Sequence, residues 1–432
     1  MSEVRKTADR FESIIKKHDL VKYKFSLTES EKQEFNIEDG DFKLLRTVYS
    51  NRASLDVFLG ERLGSANGTD VTDEGLEALV VDATAAAQSS PEDPAHDIAP
   101  DQGKHERTQG TVEPDLDLFI MRIKEFLDTV AKEYPRVRIL NLGASHDKWS
   151  WFSRNTNGSE FDETAGSYSF TIEISAAEGD ATTGFDYSGI VTDKLDTPFI
   201  ELGDIRKCIE NIDASIYPEA IEGEFKGSLV ITPGCATEFV HMLIGNYASS
   251  SVVIDGTSLW LDKVGEQVVS DKLTVTLKNE DDRIVLSDLA TGDGFLAEDA
   301  TIIEKGVLKQ HFLGLYAANK TGRPVVKSNG GSLVVEPGDK SFDELIAGIE
   351  KGILIGRFSG GNPGSNGDFS GVAKNSFLIE NGRIKCAVAE TMVNGNLGDM
   401  FKNIRGISKE LVCDGVNVMP YIAVDGINIS GK

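Results

Sequence analysis

The stretch from Leu229 to Ser251, LVITPGCATEFVHMLIGNYASSS, constrains the fold more than any other part of the chain. It opens with a short apolar run typical of a buried strand, and Thr232 followed by Pro233 is typical of the N-cap and first position of a helix. Apolar residues then recur at helical spacing: Ala236, Phe239, Val240, Leu243, Ile244 and Tyr247. We therefore predict a strand that leads directly into a core helix, with this stripe buried.

Length and charge limit the possible functions. A chain of 432 residues can form two or three domains, each with its own core. Its net charge of −26 repels phosphate backbones and anionic lipid surfaces, so we expect no direct nucleic-acid partner. No apolar run approaches the roughly 18 residues of a membrane span, and the N-terminus lacks the pattern of a signal peptide. We expect no membrane association.

The four cysteines are Cys208, Cys235, Cys386 and Cys413. None forms a C-x-x-C pair, which argues against a redox motif or a zinc ribbon and favours a reduced, cytoplasmic setting. Cys235 lies in the first turn of the predicted helix. A thiol there is either a small buried residue or a nucleophile with a lowered pKa, and the sequence favours the buried residue.

The order of strand and helix patterns predicts an α+β fold. Residues 1–220 read as antiparallel sheets followed by helices, and residues 221–432 as a mainly β domain built around the core helix. Residues 89–114 are rich in Pro, Asp, Glu and Gln, which predicts a flexible acidic insertion with His96 and His105 in solvent. The pair Asn381-Gly382 predicts a tight hairpin turn.

Common catalytic signatures are absent: the sequence has no H-E-x-x-H motif, nucleophile elbow or Walker loop. Glu238 and His241 are three residues apart, as in carboxylate-bridged metal bundles, but that chemistry needs a second copy of the motif. We therefore interpret Glu238 and His241 as a surface pair.

Several long segments resemble one known family. These are VITPGCATEFVHMLIGN, GFLAEDATIIEKGVLKQHFLGLYAANKTG, FLIENGRIKCAVAETMVNGNLGDMFKNI and the segment around Cys413. From about Phe225 to Gly431 the chain resembles the TldD/PmbA family, called modulators of DNA gyrase and described as metalloproteases. The resemblance implies a PmbA/TldD-like fold.

The resemblance also implies where a metal site would lie. The TldD branch carries H-E-x-x-x-H, with both histidines and a C-terminal cysteine as zinc ligands and the glutamate as base. In this chain His241 and Cys413 match two ligands, whereas Met242 stands at the base position and Asn246 at the second histidine. A five-residue step turns an α-helix by about 140°, so convergence requires local widening, for which Gly245 is the candidate. We predict remnant metal-site positions that hold no metal and no catalytic residue.

The departures from H-E-x-x-x-H resemble the PmbA branch, also called TldE. The resemblance implies a non-catalytic cytoplasmic subunit of a proteolytic assembly acting on small or unfolded peptides, with zinc only in a TldD-like partner. Strand addition to a free sheet edge is one way to hold an unfolded peptide. Two alternatives stay open: an active metallopeptidase with a rearranged site of Glu238, His241 and Cys413, and a non-enzymatic peptide-binding homodimer.

Overall fold

A computed structural model of the protein describes residues 3–38 and 40–431. The elements before residue 220, in chain order, are α1 (Glu3–Lys16), β1 (Tyr23–Glu38), β2 (Asp41–Leu59), β3 (Arg62–Gly68), α2 (Asp73–Ser89), β4 (Lys104–Gly110), α3 (Leu116–Glu133), β5 (Val137–Asn155), β6 (Glu160–Glu178), β7 (Ala181–Thr182), β8 (Asp186–Thr192), a 3₁₀ turn (Phe199–Glu201) and α4 (Ile205–Ala214).

Long antiparallel strands build the N-terminal sheet, which has eight strands within the described residues. The main path runs β3-β2-β1-β5-β6-β4, and β7 and β8 also pair with β6. The helices bury their apolar faces on this sheet in two clusters. Phe11 of α1 packs edge-on against Phe25 of β1, and Phe126 of α3 packs in the same way against Phe170 of β6.

The elements of the C-terminal half, in chain order, are β9 (Glu224–Ile231), α5 (Pro233–Tyr247), α6 (Ser250–Ile254), β10 (Val275–Leu277), β11 (Ala300–Glu304), β12 (Val307–Leu308), α7 (Leu315–Thr321), β13 (Leu333–Val335), α8 (Phe342–Ala347), β14 (Lys351–Ile355), β15 (Arg357–Gly360), β16 (Asp368–Lys374), β17 (Ser376–Glu380), β18 (Arg383–Val388), β19 (Thr391–Asn396), α9 (Leu397–Lys402), β20 (Ile404–Cys413) and β21 (Val418–Ser430).

These strands form a second sheet, with thirteen strands among the described residues. β9 lies inside it, parallel to β14 on one side and antiparallel to β21 on the other. The predicted α+β fold is confirmed. The two sheets fall on either side of residue 220, while the domain limits 1–220 and 221–432 stay predictions.

The predicted strand-to-helix unit is confirmed as β9 and α5. All six residues of the predicted stripe are between 0% and 6% exposed. Phe239 lies at its centre, with its ring centroid 5.1 Å from that of Phe358 and 5.7 Å from that of Phe369. Thr232 is the N-cap residue, but its hydroxyl does not cap the helix and instead donates to the carbonyl of Gly356 at 3.2 Å.

The prediction of a flexible loop over residues 89–114 is wrong, because residues 104–110 form β4 and pair in parallel with β6. The segment before β4 is attached to the C-terminal half. Asp93 accepts hydrogen bonds from the Tyr316 hydroxyl at 2.9 Å and the Lys320 ammonium at 2.7 Å, and the His96 ring stacks on Tyr316. His96 and His105 are half-buried rather than solvated.

The hairpin predicted at Asn381-Gly382 is confirmed between β17 and β18. Both turn residues have positive φ, 50° for Asn381 and 75° for Gly382, which is the backbone that an Asn-Gly turn supplies at least cost.

Candidate functional site

Four of the residues that the sequence singled out lie on α5: Glu238, His241, Met242 and Asn246. Glu238 is half-buried, and His241 is exposed on the solvent side of the helix. Met242 is half-buried and packs against the main apolar core of the C-terminal half. Met242 is therefore a packing residue at the edge of the helix, without an oxygen that could accept a proton.

The direction of the helix side chains decides whether His241 and Asn246 can bind the same metal ion. α5 is a continuous α-helix from Pro233 to Tyr247, so the local widening that convergence would require near Gly245 does not occur. Two residues five positions apart then point about 140° away from each other. His241 faces solvent, whereas the Nδ2 atom of Asn246 is buried and has no hydrogen-bond partner within the described residues.

Cys413 ends β20, and its thiol has partners of its own. The Sγ atom donates to the carbonyl of Arg283 at 3.2 Å and accepts from the backbone N–H of Gly415 at 3.3 Å. Burial raises the pKa of this thiol, which keeps it in the protonated form that donates. The structure thus gives Cys413 a local role: it ties the turn after β20 to the segment at Arg283.

The donor residues present do not fit a zinc ion. Zinc in proteins is held by three or four converging donors such as thiolate, imidazole and carboxylate. In residues 3–38 and 40–431 no group of three or more His, Cys, Asp or Glu residues could hold a metal. The rearranged set of Glu238, His241 and Cys413 is therefore not assembled. The interpretation of His241, Met242, Asn246 and Cys413 as remnants of a metal site stays a prediction.

The predicted surface pair of Glu238 and His241 is also not formed, because neither side chain acts on the other through a hydrogen bond or a charge among the described residues. Burial raises the pKa of Glu238. Neighbouring protein atoms partly desolvate the His241 imidazole, although it is exposed, and this lowers its pKa. Both side chains are held towards their neutral forms, so α5 does not present a charged acid–base pair.

A cavity of about 250 Å³ opens at the start of α5, between the two halves of the chain. β8 and α4 form one wall, and the first turn of α5, β15 and the end of β20 form the other. Four carboxylates line it: Asp186, Asp204, Glu238 and Asp414. Lys207 and Arg357 supply the positive charge.

Burial dominates the electrostatics of this cavity. It raises the pKa of Asp186 and of Asp204, and Asp204 accepts a hydrogen bond from the Ser188 hydroxyl. The Arg357 guanidinium lies 4.7 Å from the Phe185 ring centroid and 5.2 Å from that of Tyr187. A buried carboxylate is neutralised more readily than a solvated one, so the cavity is less negative than its composition indicates.

The two thiols of the cavity are buried. Cys235 is 4% exposed and Cys208 is 7% exposed, and burial raises the pKa of both. The expectation that Cys235 is a small buried residue is confirmed. A thiolate nucleophile is disfavoured at both positions.

Sequence reasoning missed most of this cavity. Asp186 and Asp204 come from the N-terminal half and Arg357 from β15, so only the packing of the two halves brings them together. Each is an isolated charged residue in the sequence, with no spacing that marks a site.

Comparison with known proteins identifies a family and several relatives to which the chain is similar. Residues 225–431 match the family described as PmbA/TldA metallopeptidase C-terminal domain. The metalloprotease PmbA of Escherichia coli O157:H7 is 25% identical over 375 residues, covering 82% of this chain and 80% of that protein. A metalloprotease of Methanocaldococcus jannaschii is 27% identical over 207 residues, so the match spans 44% of this chain and only 44% of that relative's length.

Among solved structures, TldE from Thermococcus kodakarensis superimposes with a TM-score of 0.82 at 18% identity. The superposition covers 98% of this chain and 100% of that one, which shows that the two proteins share one fold over the superimposed residues. The resemblance noted in the sequence is confirmed: the chain has the PmbA/TldD fold and carries the C-terminal domain of the PmbA/TldD metalloprotease family.

Proposed function

We propose that the chain is the PmbA/TldE-type subunit of a peptide-cleaving assembly, and that a zinc-bearing TldD-like homologue supplies the catalytic metal. The observation that carries this proposal is the state of α5. The helix retains its complete buried stripe, but Met242 packs against the core in place of a base, and Asn246 diverges from His241 in place of a second ligand.

Hydrolysis of a peptide by zinc requires an open metal position for water and a group that takes the proton as water attacks. His241 is the one imidazole on α5, and the thiol of Cys413 is engaged by Arg283 and Gly415. A chain with these donors can hold or orient a peptide. It depends on another subunit for the water-splitting step.

A cleavage assay tests the proposal. The purified chain is incubated with an unfolded peptide, first with added zinc and then with a chelator, and cleavage is followed by mass spectrometry. We expect no zinc-dependent turnover by the chain alone and turnover when a TldD-like homologue from the same organism is added. The proposal is wrong if the pure chain cleaves the peptide and loses this activity with the chelator.

A peptide-binding homodimer is the second candidate. One observation favours binding without chemistry: the thiols of Cys235 and Cys208 in the cavity at the start of α5 are buried, and burial raises the pKa of both, which disfavours a thiolate nucleophile. If adding the homologue produces no turnover and the two proteins do not co-elute, the homodimer becomes the better account.

A further inference from the structure

The outer end of strand β2 has no neighbour on one side. Residues 41–52 are all exposed, although they belong to a strand of 19 residues. β3 pairs with β2 only from Ala53 to Leu59, so within the described residues the earlier part of β2 has β1 on one side and no strand on the other. We call residues 44–52, where the pairing with β1 is regular, the free edge.

The free edge offers a long run of unpaired backbone. Nine residues at about 3.3 Å each give a strand of roughly 30 Å. Proline, which commonly blocks such an edge, is absent from it. A row of unpaired N–H and carbonyl groups of this kind is a template for a second strand.

Apolar side chains occupy both faces of the free edge. Alternation along the strand puts Leu44 and Val48 on one face and Leu45 and Tyr49 on the other. Their exposed fractions are 39%, 37%, 68% and 74%, in that order. A flat docking surface covers only one face, whereas a strand added to the edge covers neighbours on both. The pattern therefore favours pairing with another strand.

The charge of the free edge permits that strand to come from a second copy of the chain. The net charge of −26 makes two copies repel each other at long range. The free edge contains no carboxylate, and its Arg46 is neutralised by Glu34 of β1 at 2.6 Å. Just before it, Lys43 is paired with Asp41 at 3.3 Å. Two copies can therefore meet at this edge without adding to the repulsion between acidic groups.

The free edge is complementary to itself when two copies run antiparallel. Val48 is the middle residue of the nine, so a two-fold axis at Val48 pairs all of residues 44–52 with those of the other copy. Val48 then faces Val48, and Thr47 faces Tyr49. Tyr49 also reaches Leu45 of the other copy as a diagonal neighbour. Apolar side chains thus meet on both faces of the pair.

The same alignment keeps the arginines apart. Arg46 faces Ser50 and Arg52 faces Leu44 of the other copy, so no ionised side chain stands directly opposite another. An axis at Tyr49 would instead put Arg46 opposite Arg52, which is unfavourable. A second copy therefore supplies a strand of matching length and compatible side chains, which an arbitrary peptide does not.

We propose that two copies of the chain associate through the free edge of β2, paired antiparallel about a two-fold axis at Val48, so that their N-terminal sheets form one continuous sheet. This inference goes beyond the proposed function, because it concerns self-association rather than cleavage. The free edge also belongs to a different sheet from the one that contains β9 and the C-terminal strands.

The molar mass of the purified full chain tests the association itself. Light scattering measures it between about 1 μM and 1 mM, the range in which an interface of modest size associates. We expect the mass to rise with concentration from that of one chain towards that of two. A chain that stays monomeric at the highest concentration would overturn the proposal.

Charge on the axis locates the interface. Val48→Lys places two ammonium groups opposite each other and removes the central apolar contact, so we expect it to weaken self-association at least about tenfold. Val81→Lys is the matched control, because Val81 is an exposed valine on α2 and the variant gains the same charge. Thermal unfolding checks that both variants are folded. Equal association of the two variants would contradict an interface at the free edge.

A cysteine on the axis tests the alignment without adding charge. Directly opposite residues of an antiparallel pair have Cα atoms about 4.5–5.5 Å apart, within the span of a disulfide. Under mild oxidation by copper phenanthroline in air, we expect Val48→Cys to form a covalent dimer on a non-reducing gel, in excess of Val81→Cys and of the parent chain with its four cysteines. No excess over Val81→Cys would rule out the proposed axis.

These outcomes are separate from those of the cleavage assay. A chain that dimerises through the free edge but cleaves a peptide alone in a zinc-dependent way removes the proposed function and leaves the edge assignment intact. A chain that stays monomeric, yet supports turnover when the homologue is added, removes the edge assignment alone.

Discussion

The two sides of α5 differ in how tightly packing constrains their residues. On the buried side every position of the apolar stripe is filled, and Phe239 is enclosed by Phe358 and Phe369. On the solvent side His241 is exposed and Met242 packs at the core boundary. The difference teaches that packing of the buried side holds α5 in the fold. Residues on the solvent side can therefore change without displacing the helix.

The largest expected effect lies on the buried side. Phe239→Ala removes a fully buried ring and leaves a cavity among aromatic neighbours, which typically costs about 3–5 kcal/mol. Urea denaturation checks this as a fall in the free energy of unfolding. A loss below about 1 kcal/mol would show that the core around α5 collapses easily, and the contrast between the two sides would weaken.

A smaller, pH-dependent effect is expected at the cavity where the helix begins. Burial raises the pKa of Asp204 above its ordinary value of 3.8, so the folded protein holds this proton more tightly than the unfolded chain. Its contribution to stability is therefore present at low pH and is lost as the pH rises through the raised pKa.

Asp204→Asn removes this titration while keeping an oxygen that can accept from Ser188. We expect the free energy of unfolding of the variant, relative to the parent, to increase between pH 4 and pH 7, as measured by denaturation at each pH. The exposed Asp82→Asn, on α2, is the control and should show no such trend. If the difference in the free energy of unfolding stays constant across the pH range, the pKa of the buried Asp204 carboxyl is not raised.

The smallest effect is expected on the solvent side. His241 is exposed and makes no hydrogen bond or ion pair among the described residues, so His241→Ala should change the free energy of unfolding by no more than about 0.5 kcal/mol. Thermal or urea denaturation measures it. A larger loss would mean that His241 has a structural partner, and the two sides of α5 would no longer differ as described.

The core of the C-terminal half could be predicted from the sequence because α5 shows its helical period directly, and the Asn381-Gly382 turn has a local chemical cause. Residues 89–114 could not, because β4 is a polar strand held by parallel pairing with β6, and Asp93 before it is bound by Tyr316 and Lys320 far along the chain. The composition of residues 89–114 predicts exposure to solvent, but contacts with distant parts of the chain determine their structure.

The candidate site was predictable only in part. Helical spacing places His241 and Asn246 on different sides of a regular helix, and the structure has that helix. The partners of Cys413 depend on packing within the C-terminal half. The joining of Asp186, Asp204 and Arg357 around one cavity depends on how the two halves pack. No spacing in the sequence carries that information.

Calorimetric titration of the metal-free chain with zinc tests the central claim most directly. We expect no tight, stoichiometric binding, and the same weak heats for the parent chain, His241→Ala and Cys413→Ala, since α5 and β20 do not bring their donors together. Tight binding of one zinc ion per chain that disappears in both variants would contradict the account.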